Sequence, residues 1–157
     1  RIKNKIKFNL LLVGRGVEKD NLSKYIRENN LSRQVQLINF QKNPFNLIKS
    51  SDVFILSSLY EGLPNVLLEA LVLKKFIISS NCPTGPREIL LNGKAGFLFN
   101  VGDYIKLSNL ILCFSKNKKL LSKKISIGYK NLHRFDKNKN LNMYYQIIIK
   151  YLKNEKN

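Results

Sequence analysis

Val53-Phe54-Ile55-Leu56-Ser57-Ser58-Leu59-Tyr60-Glu61-Gly62-Leu63-Pro64-Asn65-Val66-Leu67-Leu68-Glu69-Ala70 reads as a strand, a loop and the start of a helix in one run. Val53 to Leu56 is apolar and β-favouring, Ser57 to Leu63 is a loop, and Pro64 suits the first helical position, where its missing N–H costs nothing. The N–H groups of Leu63, Asn65 and Val66 are then unpaired donors with the positive end of the helix dipole behind them, an arrangement that suits a phosphate. Gly62 has no Cβ to hold a ligand away from the backbone. Glu61 and Glu69 flank this turn, and carboxylates there can accept hydrogen bonds from sugar or ribose hydroxyls. Spacing alone leaves a plainer reading open, with Glu69 an exposed helix residue and Glu61 a loop acid near the helix dipole.

Outward from this segment the same alternation repeats. Strands are expected at Ile6 to Val13, Val35 to Ile38, Val53 to Leu56, Phe76 to Ser79 and Gly96 to Phe99. Helices are expected at Glu18 to Asn29, Pro44 to Lys49, Pro64 to Leu73 and Pro86 to Leu91. Beyond Phe99 the strand signal ends, and Asp103 to Phe114, Lys118 to Tyr129 and Asn138 to Lys153 read as helices. The pattern implies an α/β fold, a Rossmann-like, doubly wound parallel sheet. Its α/β core covers about residues 6–100 and a helical tail covers 101–157. With 157 residues, 44% of them hydrophobic, the chain is expected to form a single domain. Ligands of such sheets bind beyond the carboxyl ends of the strands, which is where the motifs fall.

Several blocks resemble a known family. Asn43-Pro44-Phe45, Ser51 to Ser58, Glu61 to Ala70 and Asn81-Cys82-Pro83-Thr84-Gly85-Pro86-Arg87-Glu88-Ile89-Leu90, with Val13-Gly14 and Gly96-Phe97-Leu98, follow its order and spacing over about residues 8 to 100. The family is the large group of retaining glycosyltransferases with two Rossmann domains, the GT-B fold, numbered four in the usual classification. Glu61 through Glu69 matches its E-x7-E signature. The resemblance implies that this chain is the C-terminal, donor-binding half of such an enzyme. Glu61 would face the donor sugar as the catalytic carboxylate, and Glu69 would hold the ribose hydroxyls. Gly62, Leu63, Pro64 and Asn65 would meet the sugar or the diphosphate, and Phe40 and Gln41 would read the base edge. The donor would be a nucleoside diphosphate sugar, with uracil or guanine as the base, so a UDP-sugar or a GDP-sugar, and no further cofactor.

The remaining motifs carry less. Gly14-Arg15-Gly16 follows the first strand, but Lys19 stands where a dinucleotide fingerprint needs its third glycine, so Gly14 and Gly16 read as a turn beside the ligand or simply as a turn. Thr84 and Gly85 precede a helix start and border the sugar end of the expected pocket, while Arg87 and Glu88 read equally as helix-start salt bridges. His133 is the only histidine and lies in a basic helical stretch, so no His-based triad or metal centre is expected. Two departures from the family pattern bear on the turns. Asn39 replaces a usual Gly and is expected to keep a left-handed turn, and Lys74 with Phe76 replaces Gly and Pro, weakening the helix stop. No Gly-Arg segment precedes Arg1-Ile2-Lys3, so the domain's first strand and the N-terminal acceptor domain are expected to lie outside these 157 residues.

A net charge of +18 calls for an anionic partner, whether a phosphorylated ligand, an anionic membrane surface or nucleic acid. The charge leaves an alternative to an enzyme fragment, a basic nucleic-acid-binding or membrane-attachment module without catalysis, although nucleic acid is not expected because no binding motif accompanies the lysines. No apolar run is long enough for a membrane span, and Cys82 and Cys113 form neither a metal pair nor a disulfide framework. A cytoplasmic protein is therefore expected, held at the inner membrane face if its acceptor is a polysaccharide, a lipopolysaccharide or lipid-linked.

Overall fold

In the computed structural model, which describes residues 1–154, strands and helices alternate up to Phe99 and helices follow; residues 155–157 of the expected tail lie outside the described residues. The strands are β1 (Leu10–Val13), β2 (Val35–Ile38), β3 (Val53–Leu56), β4 (Phe76–Ser80) and β5 (Phe97–Phe99). Between them lie the helices α1 (Lys19–Glu28), α2 (Phe45–Ser50), α3 (Asn65–Val72) and α4 (Pro86–Ile89). The tail is α5 (Tyr104–Lys116), α6 (Lys118–Lys130), an unforeseen 3-10 turn at Leu132–Phe135, and α7 (Lys137–Asn154).

Every recorded strand pair is parallel, as the alternation requires. The sheet is in two pieces, β1-β2 and β3-β4-β5. The expected first strand begins at Leu10 instead of Ile6, because pairing starts where Leu10 N–H donates to Gln34 O (2.7 Å) and β2 is itself four residues long. Residues ahead of it turn back on themselves, with Lys5 N–H donating to Ile2 O at 2.9 Å.

β4 is buried along its whole length and divides two cores. Ile77 faces α2, α3 and α4, where Ile48, Leu67, Ala70, Leu71 and Ile89 close around it. Phe76 and Ile78 face the opposite side, with Phe99 and Leu121 and the α5 residues Leu107, Leu110 and Phe114. The Phe76 ring meets Phe97 edge-on at 4.9 Å, a favoured aromatic geometry. Lys124 lies over the Phe97 ring at 5.4 Å and donates to Gly93 O, and burial lowers its amine pKa below the usual lysine value.

The stop of α3 differs from expectation. Lys74 adopts φ 53°, its N–H donates to Leu71 O (2.9 Å) and Lys75 N–H donates to Ala70 O (2.9 Å). This two-bond cap normally uses glycine, yet a lysine sustains it here. Asn39, by contrast, does not take positive φ; its Oδ1 accepts from Lys19 Nζ at 2.8 Å. No described helix is long and apolar enough to cross a membrane.

Gly96 packs so tightly that a Cβ there would stand 2.7 Å from Ile77 O, a backbone atom of the central strand. Gly128 faces a softer obstacle, the Leu71 Cδ2 at 2.5 Å. Gly96→Ala is expected to cost about 1–3 kcal/mol in urea unfolding. Gly128→Ala is expected to cost less, because a side chain can turn away and alanine favours the helix. Equal losses at the two sites would contradict this packing.

Candidate functional site

The loops that follow β3 and β4 lie side by side at the carboxyl ends of the strands and are tied together. Ser80 Oγ, at the end of β4, donates to Ser58 O at 2.7 Å. Thr84 Oγ1 donates to Glu61 O across the same gap. Gly85 makes their close approach possible: at φ 87° it presents no Cβ, and one added there would stand 2.3 Å from Pro64 Cδ and 2.7 Å from Gly62 O. Ser58 Oγ donates to Glu61 Oε1 at 2.6 Å, so the half-buried Glu61 carboxylate is held by its own loop.

Pro64 caps α3 rather than forming its first residue, with φ −72° and ψ 90°, since its backbone is still extended there. It is buried, and no side chain caps the helix. Leu67 N–H is taken by Pro64 O at 2.9 Å. The N–H groups of Leu63, Asn65 and Val66 donate to no acceptor among the described residues. A Cβ at Gly62 would meet nothing within 4 Å, so the space before these donors is open. Glu69 lies about 6 Å along the α3 axis from Asn65, on the same face as Val66 one turn earlier. It is half-buried, with no ion-pair partner among the described residues.

Two concavities border this turn. A cleft of about 580 Å³ runs between β1 and β3, and Gly14, Gly16, Phe40, Gln41, Ser58 and Val66 are among its walls. At its mouth the Arg15 guanidinium stacks 5.0 Å from the Phe40 ring, and Gln41 Nε2 donates to Asn39 O at 3.1 Å. A second hollow of about 460 Å³ opens behind the β4 loop, lined by Thr84, Gly85, Arg87, Glu88 and Arg134. The expected site residues are thus divided. Gly14, Gly16, Phe40 and Gln41 share the cleft, Thr84 and Gly85 face the hollow, and Glu61 to Asn65 form the bridge between them. Neither Glu61 nor Glu69 is among the residues that wall this cleft.

Among the described residues Arg87 and Glu88 form no salt bridge, one of the two readings the sequence left open for them. Arg87 Nε donates to Asn81 Oδ1 (3.2 Å), and the Glu88 carbonyl accepts from Arg134 Nη2 (2.8 Å). Ser58 and Ser80 were not singled out from sequence, although the rule that ligand sites follow strands points to both. Arg134 gave no local signal. His133 is exposed, and no group of three potential metal ligands exists among the described residues.

Parallel strands followed by paired loops and an uncapped helix start define a Rossmann-like α/β domain. The chain belongs to the glycosyl transferases group 1 family, whose sequence profile matches residues 1–131. It is 49% identical over 81 residues to an uncharacterized glycosyltransferase of Methanocaldococcus jannaschii, covering 52% of this chain and 20% of that protein. It is 33% identical over 138 residues to a UDP-Gal:alpha-D-GlcNAc-diphosphoundecaprenol alpha-1,3-galactosyltransferase of Escherichia coli, covering 83% of this chain and 35% of the relative. Among solved structures, TarM superposes with a TM-score of 0.83 at 22% identity, over 92% of this chain and 29% of TarM. Anabaena HepE in complex with UDP superposes at 0.77 and 23% identity, over 94% of this chain and 41% of HepE. At these identities the structural likeness is one of fold.

Gly85→Ala is expected to destabilise the chain by about 1–3 kcal/mol, since both the φ and the contacts with Pro64 and Gly62 forbid a Cβ. Amide chemical shifts of Gly62 and Leu63 should move with it. A variant as stable as the parent, with those shifts unchanged, would refute the nesting of the two loops.

Proposed function

We propose that this chain is the donor-binding part of a retaining GT-B glycosyltransferase that moves a hexose or an N-acetylhexosamine from a nucleoside diphosphate sugar to an acceptor hydroxyl. The observation that carries the reading is the set of free N–H groups at Leu63, Asn65 and Val66, opening onto the space before Gly62. A diphosphate there would meet those donors, the dipole of α3 and a strongly cationic chain. Charge develops on the leaving diphosphate in the transition state, so these groups would do catalytic work by electrostatic stabilisation.

In this reading Glu69 takes the ribose hydroxyls, and Glu61, oriented by Ser58, faces the donor sugar. Phe40 and Gln41 sit where a base edge would lie, and Thr84 and Gly85 close the sugar end. A UDP-sugar is the favoured donor, supported by the relative named for UDP-Gal and by the UDP complex of HepE, and a GDP-sugar is the alternative. The acceptor would be a polysaccharide, a lipopolysaccharide or a lipid-linked sugar, in keeping with relatives named for undecaprenol-linked substrates. Acceptor binding would fall to parts of the enzyme outside these residues, at an anionic membrane surface that the cationic chain suits.

Calorimetry with UDP and GDP tests the donor. Glu69→Ala is expected to weaken UDP binding by roughly tenfold or more, the effect of losing hydrogen bonds to a charged group. Undiminished affinity would remove Glu69 from the ribose site. Gly62→Ala separates ligand space from protein packing: thermal stability should be unchanged, because the added methyl meets no protein atom, while UDP affinity falls. A variant that binds UDP normally would show that no diphosphate lies there. In the full-length enzyme, an anomeric configuration inverted in the product by NMR would refute the retaining assignment.

A further inference from the structure

Positive charge lines the hollow of about 460 Å³ behind the β4 loop. Two guanidiniums face it, Arg87 from α4 and Arg134 from the 3-10 turn of the tail. Each is positioned by a neutral oxygen. Arg87 Nε donates to Asn81 Oδ1 at 3.2 Å, while Arg134 Nη2 donates to Glu88 O at 2.8 Å and its Cζ lies 5.1 Å from the centre of the Phe135 ring. Neither arginine pairs with a carboxylate among the described residues, although Glu88 stands on the same wall. The Arg134 Nε is buried without an acceptor, and the two Nη groups of Arg87 donate to nothing among the described residues.

The backbone of the wall is one that residue preference would not choose. After α4 the chain turns back through Leu91 and Asn92, at φ 53° and 54°, and Asn92 N–H donates to Arg87 O at 2.9 Å. A left-handed leucine is costly, and this one folds Asn92 back onto the start of α4, so that its amide joins Arg87 on the lining. Arg134, bonded to Glu88 O, closes the other side with the tail. Two guanidiniums held on one hollow without a counter-ion repel each other, and an oxyanion between them relieves that repulsion. The planar fork of an arginine matches paired phosphate oxygens.

We propose that this hollow is a second anion subsite, for a phosphoryl group that belongs to a molecule other than the nucleotide. The free Nη groups of Arg87 grip the phosphoryl oxygens, Arg134 supplies a fixed charge and Asn92 an amide donor. Gly62, Leu63, Asn65 and Val66 are not among the residues lining the hollow, so the two sets of donors serve different anions. The hollow adjoins Thr84 and Gly85, taken above to close the sugar end, so the second molecule is the one that receives the sugar. That last step rests on the proposed transfer reaction, whereas the binding of an anion here does not.

The probe is methyl phosphate, titrated into the 157-residue chain at constant ionic strength and followed by NMR. Saturable shifts are expected at the Arg87 Nε–H and the Asn92 side-chain amide. Arg87→Gln, a change to an exposed side chain, is expected to weaken binding by about tenfold or more at unchanged thermal stability. Glu88→Gln is expected to tighten it by about threefold or more, a gain that loss of folding cannot mimic. Weakening by Gly62→Ala but not by Arg87→Gln would place the phosphate at the α3 turn. Equal shifts with chloride would mean general attraction to a cationic surface, and no saturable shift, or no gain in Glu88→Gln, would mean no such site; each overturns the proposal. With UDP at saturation, methyl phosphate should bind undiminished, and competition would give the hollow to the donor's own phosphates and overturn the second molecule. Should UDP itself not bind, the donor reading fails, while the Arg87 and Glu88 variants still decide the anion site.

Discussion

The candidate site depends on one close approach, that of Gly85 to the Gly62-Leu63-Pro64 turn. β3 and β4 are neighbours in a parallel ladder, so the loops leaving their carboxyl ends compete for the same space. Nesting is possible because residue 85 has no side chain and can hold φ 87°. Once nested, the loops gain two cross-links, from Thr84 to Glu61 and from Ser80 to Ser58. The position of the Glu61 loop is then set by the buried strand β4, and so is the direction in which α3 starts. A loop otherwise free to move inherits the rigidity of the core.

Much of this was legible from composition and spacing, for identifiable reasons. Val35–Ile38 and Val53–Leu56 were bounded correctly because turn residues and charges flank short β-branched runs. The Glu61 to Ala70 segment could be placed because Pro64 fixes its own φ where the loop meets the helix. What escaped detection depends on distant partners. β1 could not be trimmed to Leu10–Val13 without knowing that β2 offers so few residues. Lys74 in a left-handed cap contradicts single-residue preference, and tertiary packing of Leu71 and Ala70 outweighs it. Ser80 meets Ser58 across 22 residues of sequence and Arg134 meets Glu88 across 46, separations at which no local pattern speaks.

The charge of the chain is almost wholly unpaired within it. Lys and Arg outnumber Asp and Glu by 28 to 10, yet among the described residues the one recorded ion pair is Lys24 with Glu28, exposed and 3.8 Å long. Such a pair contributes little. The surplus charge is therefore uncompensated within the chain and acts outward, raising the local concentration of anions over a Debye length of about 8 Å at physiological salt. Long-range attraction of this kind delivers a ligand without orienting it. Orientation needs fixed dipoles, and the start of α3 has them.

The comparison of α3 with α5 shows what was given up. Asp103 caps α5 by accepting from Lys106 N–H at 2.8 Å, a contact of a kind worth about 1 kcal/mol. α3 has no such cap, because Pro64 occupies the position and the nearest acid, Glu61, is engaged by Ser58. A helix start left without acceptors beside an open glycine is destabilising in the free chain, and any anion placed there recovers the loss. α3 therefore starts without the side-chain cap that α5 has.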